Sequence, residues 1–144
     1  MDKISKLSKL VFLLEKHEKS LHQKAIACKI RLDEEVRKYD LLKSCLDDYR
    51  EKLKTTHLTI PAYKFQQYQT FFQQLETAIA QQKDVVARCK TVHLKWLKDI
   101  EMARKKLENM NKLIVNERVN IQSKLDKKES QIATDLYNQI KHIK

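Results

Sequence analysis

Apolar residues recur at alternating spacings of three and four from Ile4 to Leu53. Thirteen of these fifteen positions are apolar, and the two exceptions are Glu18 and Glu35. An average repeat of 3.5 residues keeps one edge of a helix, here called the seam, facing a partner helix in a left-handed supercoil. The pattern therefore predicts a coiled-coil helix.

A second seam with the same unbroken spacing runs from Phe65 to Ile114, and thirteen of its fifteen positions are apolar. Between the two seams, β-branched residues and the only proline interrupt helix propensity. Thr59 is suited to cap the second helix, and Pro61 fits its first turn. We therefore predict an all-α fold, a long antiparallel two-helix coiled-coil hairpin that forms one elongated domain. Its predicted parts, within residues 1–144, are a first helix at about 3–55, a turn at about 56–61 and a second helix at about 62–140.

The register of the hairpin follows from the two seams. Folding the chain back near residue 59 pairs positions whose numbers sum to about 118, so that Ile4 meets Ile114 and both seams run out together. The same register places Glu35 near Gln82, a polar layer that fixes the alignment, and Trp96 opposite a small alanine of the first helix.

Beyond Ile114 the strict repeat ends, because charged residues occupy the next seam positions. An apolar face at helical spacing nevertheless continues. Its residues are Ile121, Leu125, Ile132, Leu136, Ile140 and Ile143. The second helix is thus expected to overhang the first by about 30 residues, or about 45 Å. An amphipathic overhang needs a partner to cover it.

The composition excludes several classes of protein. The chain has no Gly and one Pro, whereas sheets need tight turns and phosphate-binding loops need glycines. Thirty Lys and Arg against 19 Asp and Glu give a net charge of +11, which favours an acidic partner. No apolar run approaches the ~20 residues of a membrane span, and no signal-peptide cleavage site is present. With three cysteines, an odd number, the sequence predicts a cytosolic protein with reduced thiols and no membrane insertion.

No catalytic or metal-binding arrangement emerges from the sequence. His17 and His22 are five residues apart, not the four that place two ligands on one helical face. His93 lies on the seam, where a structural role is expected and a pH switch is the alternative. Cys28 and Cys89 fall in adjoining layers and are predicted to be small core residues, with a crosslink as the alternative. We predict no enzyme activity, no metal and no cofactor, because two paired helices enclose no pocket.

Near the turn the apolar stripe is wider than one partner helix can cover. Several residues that directly precede seam positions are also apolar or small there. With the neighbouring seam residues, the stripe comprises Leu42, Cys45, Tyr49, Phe71, Leu75 and Ala78. We interpret it as a binding face, and the alternative is ordinary flanking of a coiled coil.

The segment YQTFFQQLETAIAQ at residues 68–81 resembles the FliJ family of flagellar protein-export proteins. Residues 48–50, Trp96 and residues 125–128 extend the similarity over nearly the whole chain. In that family the antiparallel hairpin acts like the central stalk of a rotary ATPase. The resemblance implies a non-enzymatic coupling protein, cytoplasmic and peripheral at the cytoplasmic face of the inner membrane.

Three partners are implied by the resemblance: a hexameric export ATPase, the cytoplasmic domain of the membrane export gate, and free export chaperones. By position, the gate-contacting face corresponds to Leu42, Tyr49, Phe71, Leu75 and Ala78, with Lys38, Cys45 and Gln82 at further positions of that face. The paired helix ends that insert into the ATPase ring, and the overhang beside them, carry Ile4, Leu7, Val11, Ile114, Ile121 and Leu125.

Other functions remain open at this point. The alternative to a flagellar stalk is an injectisome stalk protein or a generic basic coiled-coil adaptor that binds an acidic surface. A nucleic-acid or anionic-membrane binder is disfavoured, because the long basic runs that continue into a zipper are missing. We expect an isolated monomer rather than a dimer whose seam pairs between chains.

Overall fold

Two long α-helices make up the fold in the computed structural model of the chain. Helix α1 spans Lys3–Thr56, helix α2 spans Ala62–Ile143, and the two pack against each other. The structure describes residues 2–56 and 60–143, and no strand occurs within those ranges. The predicted all-α helical hairpin is thus confirmed, and both helices begin and end within a few residues of the predicted bounds.

Helix α1 begins with an acidic N-cap. The Asp2 Oδ1 atom accepts a hydrogen bond from the Ser5 backbone N–H at 2.7 Å, and the Asp2 carbonyl accepts one from Lys6 at 3.3 Å. An N-cap carboxylate satisfies an amide that has no partner within the helix, and it also lies favourably at the positive end of the helix dipole. Local hydrogen bonds therefore cap the first turn of α1.

Helix α2 begins directly after the only proline. The carbonyl oxygen of Pro61 accepts hydrogen bonds from the backbone N–H groups of Lys64 and Phe65, each at 3.1 Å. Pro61 therefore stands immediately before α2, not inside its first turn as the sequence suggests, a difference of one position that is common at helix ends. The capping role predicted for Thr59 falls outside the described residues.

The chain divides into two compact units, and the first combines residues 2–20 of α1 with residues 100–143 of α2. Its core is one apolar layer in which the buried residues are Ile100, Ala103, Leu107 and Ile114. The Nζ atom of Lys3 lies 3.5 Å from Oε2 of Glu117. These two numbers sum to 120, close to the predicted pairing sum.

Within this first unit, α2 continues well past the start of α1. Every described residue from 118 to 143 is exposed. We call residues 118–143 the C-terminal extension, and at 1.5 Å per residue it is about 40 Å long. The predicted overhang is confirmed as a stretch of single helix.

The second unit comprises residues 21–99. Its buried residues are Leu21, Ala25, Leu32, Leu46, Leu75, Val86 and Cys89. One cluster joins Leu32 with Val86 and Cys89, and the partly buried Val36, Tyr39 and Val85 pack against it. The numbers of Leu32 and Val86 sum to 118, and those of Leu32 and Cys89 to 121. The register inferred from the seams therefore holds within this unit as well.

Both predicted seams are interior positions. All fifteen positions of the α1 seam are buried or half-buried, and so are fourteen of fifteen in α2. The exception is Phe65, which is 38% exposed and borders an open groove with Arg50, Leu53 and Lys54. Phe65 lies in the first turn of α2, where few α1 residues remain to cover it.

Candidate functional site

An aromatic pair joins the two helices in the second unit. The rings of Tyr49 and Phe71 have centroids 4.7 Å apart and are tilted by 56°. Tilted aromatic pairs at this separation contribute about 1 kcal/mol beyond the area they bury. Phe71 remains 37% exposed despite this contact. The pair therefore presents a partly open aromatic surface held in a fixed orientation.

A shallow groove of about 300 Å³ opens beside this pair. It is lined by Tyr49, Lys64, Gln67, Tyr68 and Phe71. Lys64 and Gln67 were not among the predicted site residues. The spacing of seven between Lys64 and Phe71 could have predicted the position of Lys64, since residues seven apart lie on the same face of a coiled-coil helix.

The other predicted gate-contacting residues differ in exposure. Leu42 and Ala78 are half-buried, and Cys45 is exposed. Leu75 is only 8% exposed. Its side chain therefore belongs to the core beneath this face and offers a partner little surface. We call the surface formed by Leu42, Tyr49, Phe71 and Ala78, with Leu75 beneath it, the tip face.

The two edges of the helix pair differ in chemistry. On one edge, where residues follow seam positions, the Arg50 Nη2 and Glu76 Oε1 atoms form an ion pair at 3.2 Å. On the other, where residues precede seam positions, Cys45, Phe71 and Ala78 are apolar or small. We call this second edge the apolar edge. An exposed ion pair contributes about 0.2 to 1 kcal/mol, so its main effect is to keep the first edge polar.

A polar layer interrupts the seam next to the tip face. The Gln82 Nε2 amide donates to the Glu35 carbonyl oxygen at 2.9 Å and to Glu35 Oε2 at 2.6 Å. The Lys38 Nζ atom donates to Glu35 Oε1 at 3.3 Å. The hydrogen bond from Gln82, followed by that from Lys38, lowers the pKa of Glu35 below its ordinary value, against the opposing effect of desolvation. The carboxylate is thus held ionised between the helices.

The residues predicted to face an ATPase ring lie in the first unit. Ile4, Leu7 and Val11 are half-buried, and Ile114 is buried. Within the C-terminal extension, Ile121 is 40% exposed and Leu125 is 49% exposed. The structure therefore separates this set into seam residues that hold the helices together and extension residues that are open to a partner.

The extension carries an apolar stripe with no covering element among the described residues. Its members are Ile121, Leu125, Ile132, Leu136, Ile140 and Ile143, all of them exposed. At 100° per residue these side chains fall on one side of the helix. A stripe of this length and regularity suits burial against another protein.

The histidines and cysteines form no recognisable reactive centre. Among the described residues, no group of three His, Cys, Asp or Glu side chains is placed to hold a metal ion. All three cysteines are free thiols, and Cys28 Sγ lies 4.0 Å from the carbonyl oxygen of Cys89. His93 is half-buried on the seam, as predicted, and its Nδ1 atom has no hydrogen-bond partner.

Neither helix, over residues 2–56 and 60–143, has a stretch long and apolar enough to cross a membrane.

Similarity to known proteins identifies the family of the chain. A family model described as the flagellar FliJ protein matches residues 3–143. No curated protein and no solved structure matches the chain. Because the family match covers essentially the whole of both helices, the chain belongs to the FliJ family and is related to flagellar protein export.

Proposed function

We propose that the protein is the non-enzymatic central stalk of a flagellar export ATPase complex. The observation that carries this proposal is the C-terminal extension, a single helix of about 40 Å whose apolar stripe is exposed throughout. A protein that enters the opening of a hexameric ring needs a slender element with a continuous contact surface. The family assignment supports an export partner of this kind.

The paired helix ends beside the extension complete the ring-facing part. Ile4, Leu7, Val11 and Ile114 are engaged in the seam, so their role is to hold α1 against α2 at the base of the extension. Ile121 and Leu125 then contact the ring directly. In this way the paired helix ends of the first unit hold the exposed helix that meets the ring.

The tip face is proposed to contact the cytoplasmic domain of the export gate. Tyr49 and Phe71 offer a preoriented aromatic surface, and aromatic residues in fixed orientations dominate the energetics of many interfaces. Leu42 and Ala78 add apolar contact, whereas the buried Leu75 supports them from beneath. Cys45 and Lys38 lie at the border and are exposed.

The proposed cellular setting is the cytoplasmic face of the inner membrane, where the protein binds peripherally and also receives free export chaperones. Its net charge of +11 favours acidic partners at that location. The isolated protein is a monomer, since each seam is already occupied by the other helix of the same chain. An injectisome stalk is the alternative, and it differs in the ATPase that the protein recognises.

The decisive experiment mixes the purified protein with a flagellar export ATPase and measures ring assembly by light scattering together with ATP turnover. Stimulation is expected by mass action on the assembled ring. Leu125→Glu places a charge on the apolar stripe and should abolish stimulation. Ser123→Glu is the matched control, because two residues turn a helix by about 200° and Ser123 lies away from the stripe.

Two results would count against the proposal. One is the failure of the unaltered protein to promote either ring assembly or ATP turnover. The other is an equal loss of stimulation in both variants, which would show that added negative charge, and not the stripe, is responsible.

A further inference from the structure

The apolar edge continues beyond the tip face into a second groove. Its α2 positions recur every seven residues, at Phe71, Ala78, Val85 and Val92, and residues at that spacing share one face of a coiled-coil helix. Val85 is half-buried, and Val92 is 47% exposed. The apolar edge therefore extends further from the turn than its aromatic residue, Phe71.

The floor of this groove is apolar and its border is basic. A depression of about 280 Å³ is lined by Cys28, Arg31, Val85, Arg88, Cys89 and Val92. We call it the valine groove. Arg31 comes from α1 and Arg88 from α2, and both side chains are exposed. A pair of guanidinium groups from the two helices thus borders an apolar strip.

The charges at this border call for a partner. Arg88 makes no hydrogen bond or ion pair among the described residues, and Arg31 contributes to the lowered pKa of Glu35 one turn away. Guanidinium groups bind carboxylates bidentately and with directional preference. The apolar floor selects against a ligand that is only polar, because Val85 and Val92 would stay in contact with water.

We propose that the valine groove binds an acidic amphipathic helix of a partner protein. Apolar side chains of that helix cover Val85 and Val92, and its flanking carboxylates pair with Arg31 and Arg88. A groove between two packed helices receives a third helix by ordinary ridge-into-groove packing. This site is separate from the tip face and from the C-terminal extension, so it goes beyond the stalk function proposed above.

Charge argues against a second copy of this chain as the occupant. Its own exposed amphipathic helix is the extension, and the extension is basic. The residues concerned are Arg118, Lys124, Lys127, Lys128 and Lys141 against Asp126, Glu129 and Asp135. A net positive helix placed between Arg31 and Arg88 would be repelled, whereas an acidic one is attracted.

The test uses a fluorescein-labelled synthetic helix of about 18 residues with leucines on one face and glutamates along both borders. Fluorescence anisotropy measures its Kd for the full-length protein. Arg88→Glu should raise the Kd about tenfold, since it converts a favourable charge pair into a repulsive one. Arg37→Glu is the matched control, because Arg37 is an exposed arginine outside the groove, and its Kd should change less than about twofold.

A second pair of variants tests the apolar floor of the groove and leaves both arginines unchanged. Val92→Asp should raise the Kd about tenfold, because it puts a carboxylate against both the leucines and the glutamates of the probe. Leu94→Asp is the control on an exposed apolar residue outside the groove. Circular dichroism confirms that all four variants keep the helicity of the parent protein.

Three outcomes overturn the proposal. The first is an equal loss of binding in Arg37→Glu and Arg88→Glu, which would mean that the probe binds by net charge. The second is unchanged binding of a probe whose glutamates are replaced by glutamines. The third is tighter, Arg88-dependent binding of a duplex oligonucleotide or of phosphatidylserine vesicles, which would mark the site as a polyanion patch. The stalk function is tested separately, because Arg88→Glu should leave stimulation of the ATPase unchanged.

Discussion

The side-chain amide of Gln82 donates hydrogen bonds to both the carbonyl and the carboxylate oxygens of Glu35, at 2.9 and 2.6 Å. The pair joins two facing seam positions by side-chain hydrogen bonds across the helices, in a layer flanked by apolar seam residues. A satisfied polar layer tolerates little displacement, because any shift of register leaves both groups unpaired between apolar neighbours. The pair therefore fixes the alignment of α1 and α2.

Gln82→Leu is expected to lower the melting temperature, because Glu35 then loses its principal donor while remaining between the helices. The double variant Glu35→Leu with Gln82→Leu should regain the lost melting temperature and should allow α1 and α2 to pair in more than one register. Thermal circular dichroism measures the first effect. Distances between spin labels on non-natural residues at positions 37 and 83 measure the second, and a single sharp distance in the double variant would contradict the aligning role.

Stability should depend on pH through Glu35. Its pKa is lowered in the folded protein, chiefly by the hydrogen bond from Gln82, so its contribution is fully present above the ordinary carboxyl pKa. That contribution is lost as the pH falls through the lowered value. Melting temperatures should therefore drop in acid, and Glu35→Gln should flatten this part of the profile. Glu34→Gln, at an exposed neighbouring position, is the control, and equal slopes for the two variants would refute the assignment.

Trp96→Ala and Phe71→Ala should differ sharply in their effect on stability. Trp96 is half-buried on the seam with the Lys24 ammonium 5.2 Å above its ring, and its truncation should cost about 3 kcal/mol of unfolding free energy. Truncation of Phe71 should cost about 1 kcal/mol of unfolding free energy, mainly through the lost contact with Tyr49. Urea denaturation compares them, and the same unfolding free energy for both would remove the distinction between core and tip face.

Removing the C-terminal extension should separate stability from function. The described residues that a chain ending after Glu117 would lose, 118–143, are all exposed, so its melting temperature should stay within about 2 °C of the parent value. Stimulation of the export ATPase should be lost, because the apolar stripe is gone. Parallel melting and ATP turnover measurements check both points, and a truncated chain that still stimulates would place ring contact elsewhere.

The three thiols should react in the order of their exposure. Cys45 is exposed, Cys28 is half-buried and Cys89 is buried, and access controls reaction as much as thiolate character does. Maleimide labelling followed by mass spectrometry should modify Cys45 at least about tenfold faster than Cys89. Equal rates at the two positions would show that the helices separate readily around Leu32 and Val86.

The sequence predicts most of the tip face, but the predicted stripe did not extend along the apolar edge beyond it. The excess apolar positions near the turn pointed to Phe71 and Ala78, and the spacing of seven extends to Val85 and Val92. The depth of each side chain needed coordinates. Leu75 shares the chemistry of Leu42, yet only Leu75 is buried, because burial depends on how closely the facing helix approaches at that point.

The repeat of 3.5 residues, the absence of glycine and the single proline determined the helices, the hairpin, its register and the unpaired extension, since each is a property of spacing along one chain. Tertiary structure alone decided that Arg50 pairs with Glu76 across the other edge of the helix pair. It also brought Arg31 and Arg88 to one groove. These features join residues that are distant in sequence, and their distances depend on the packing of one helix against the other.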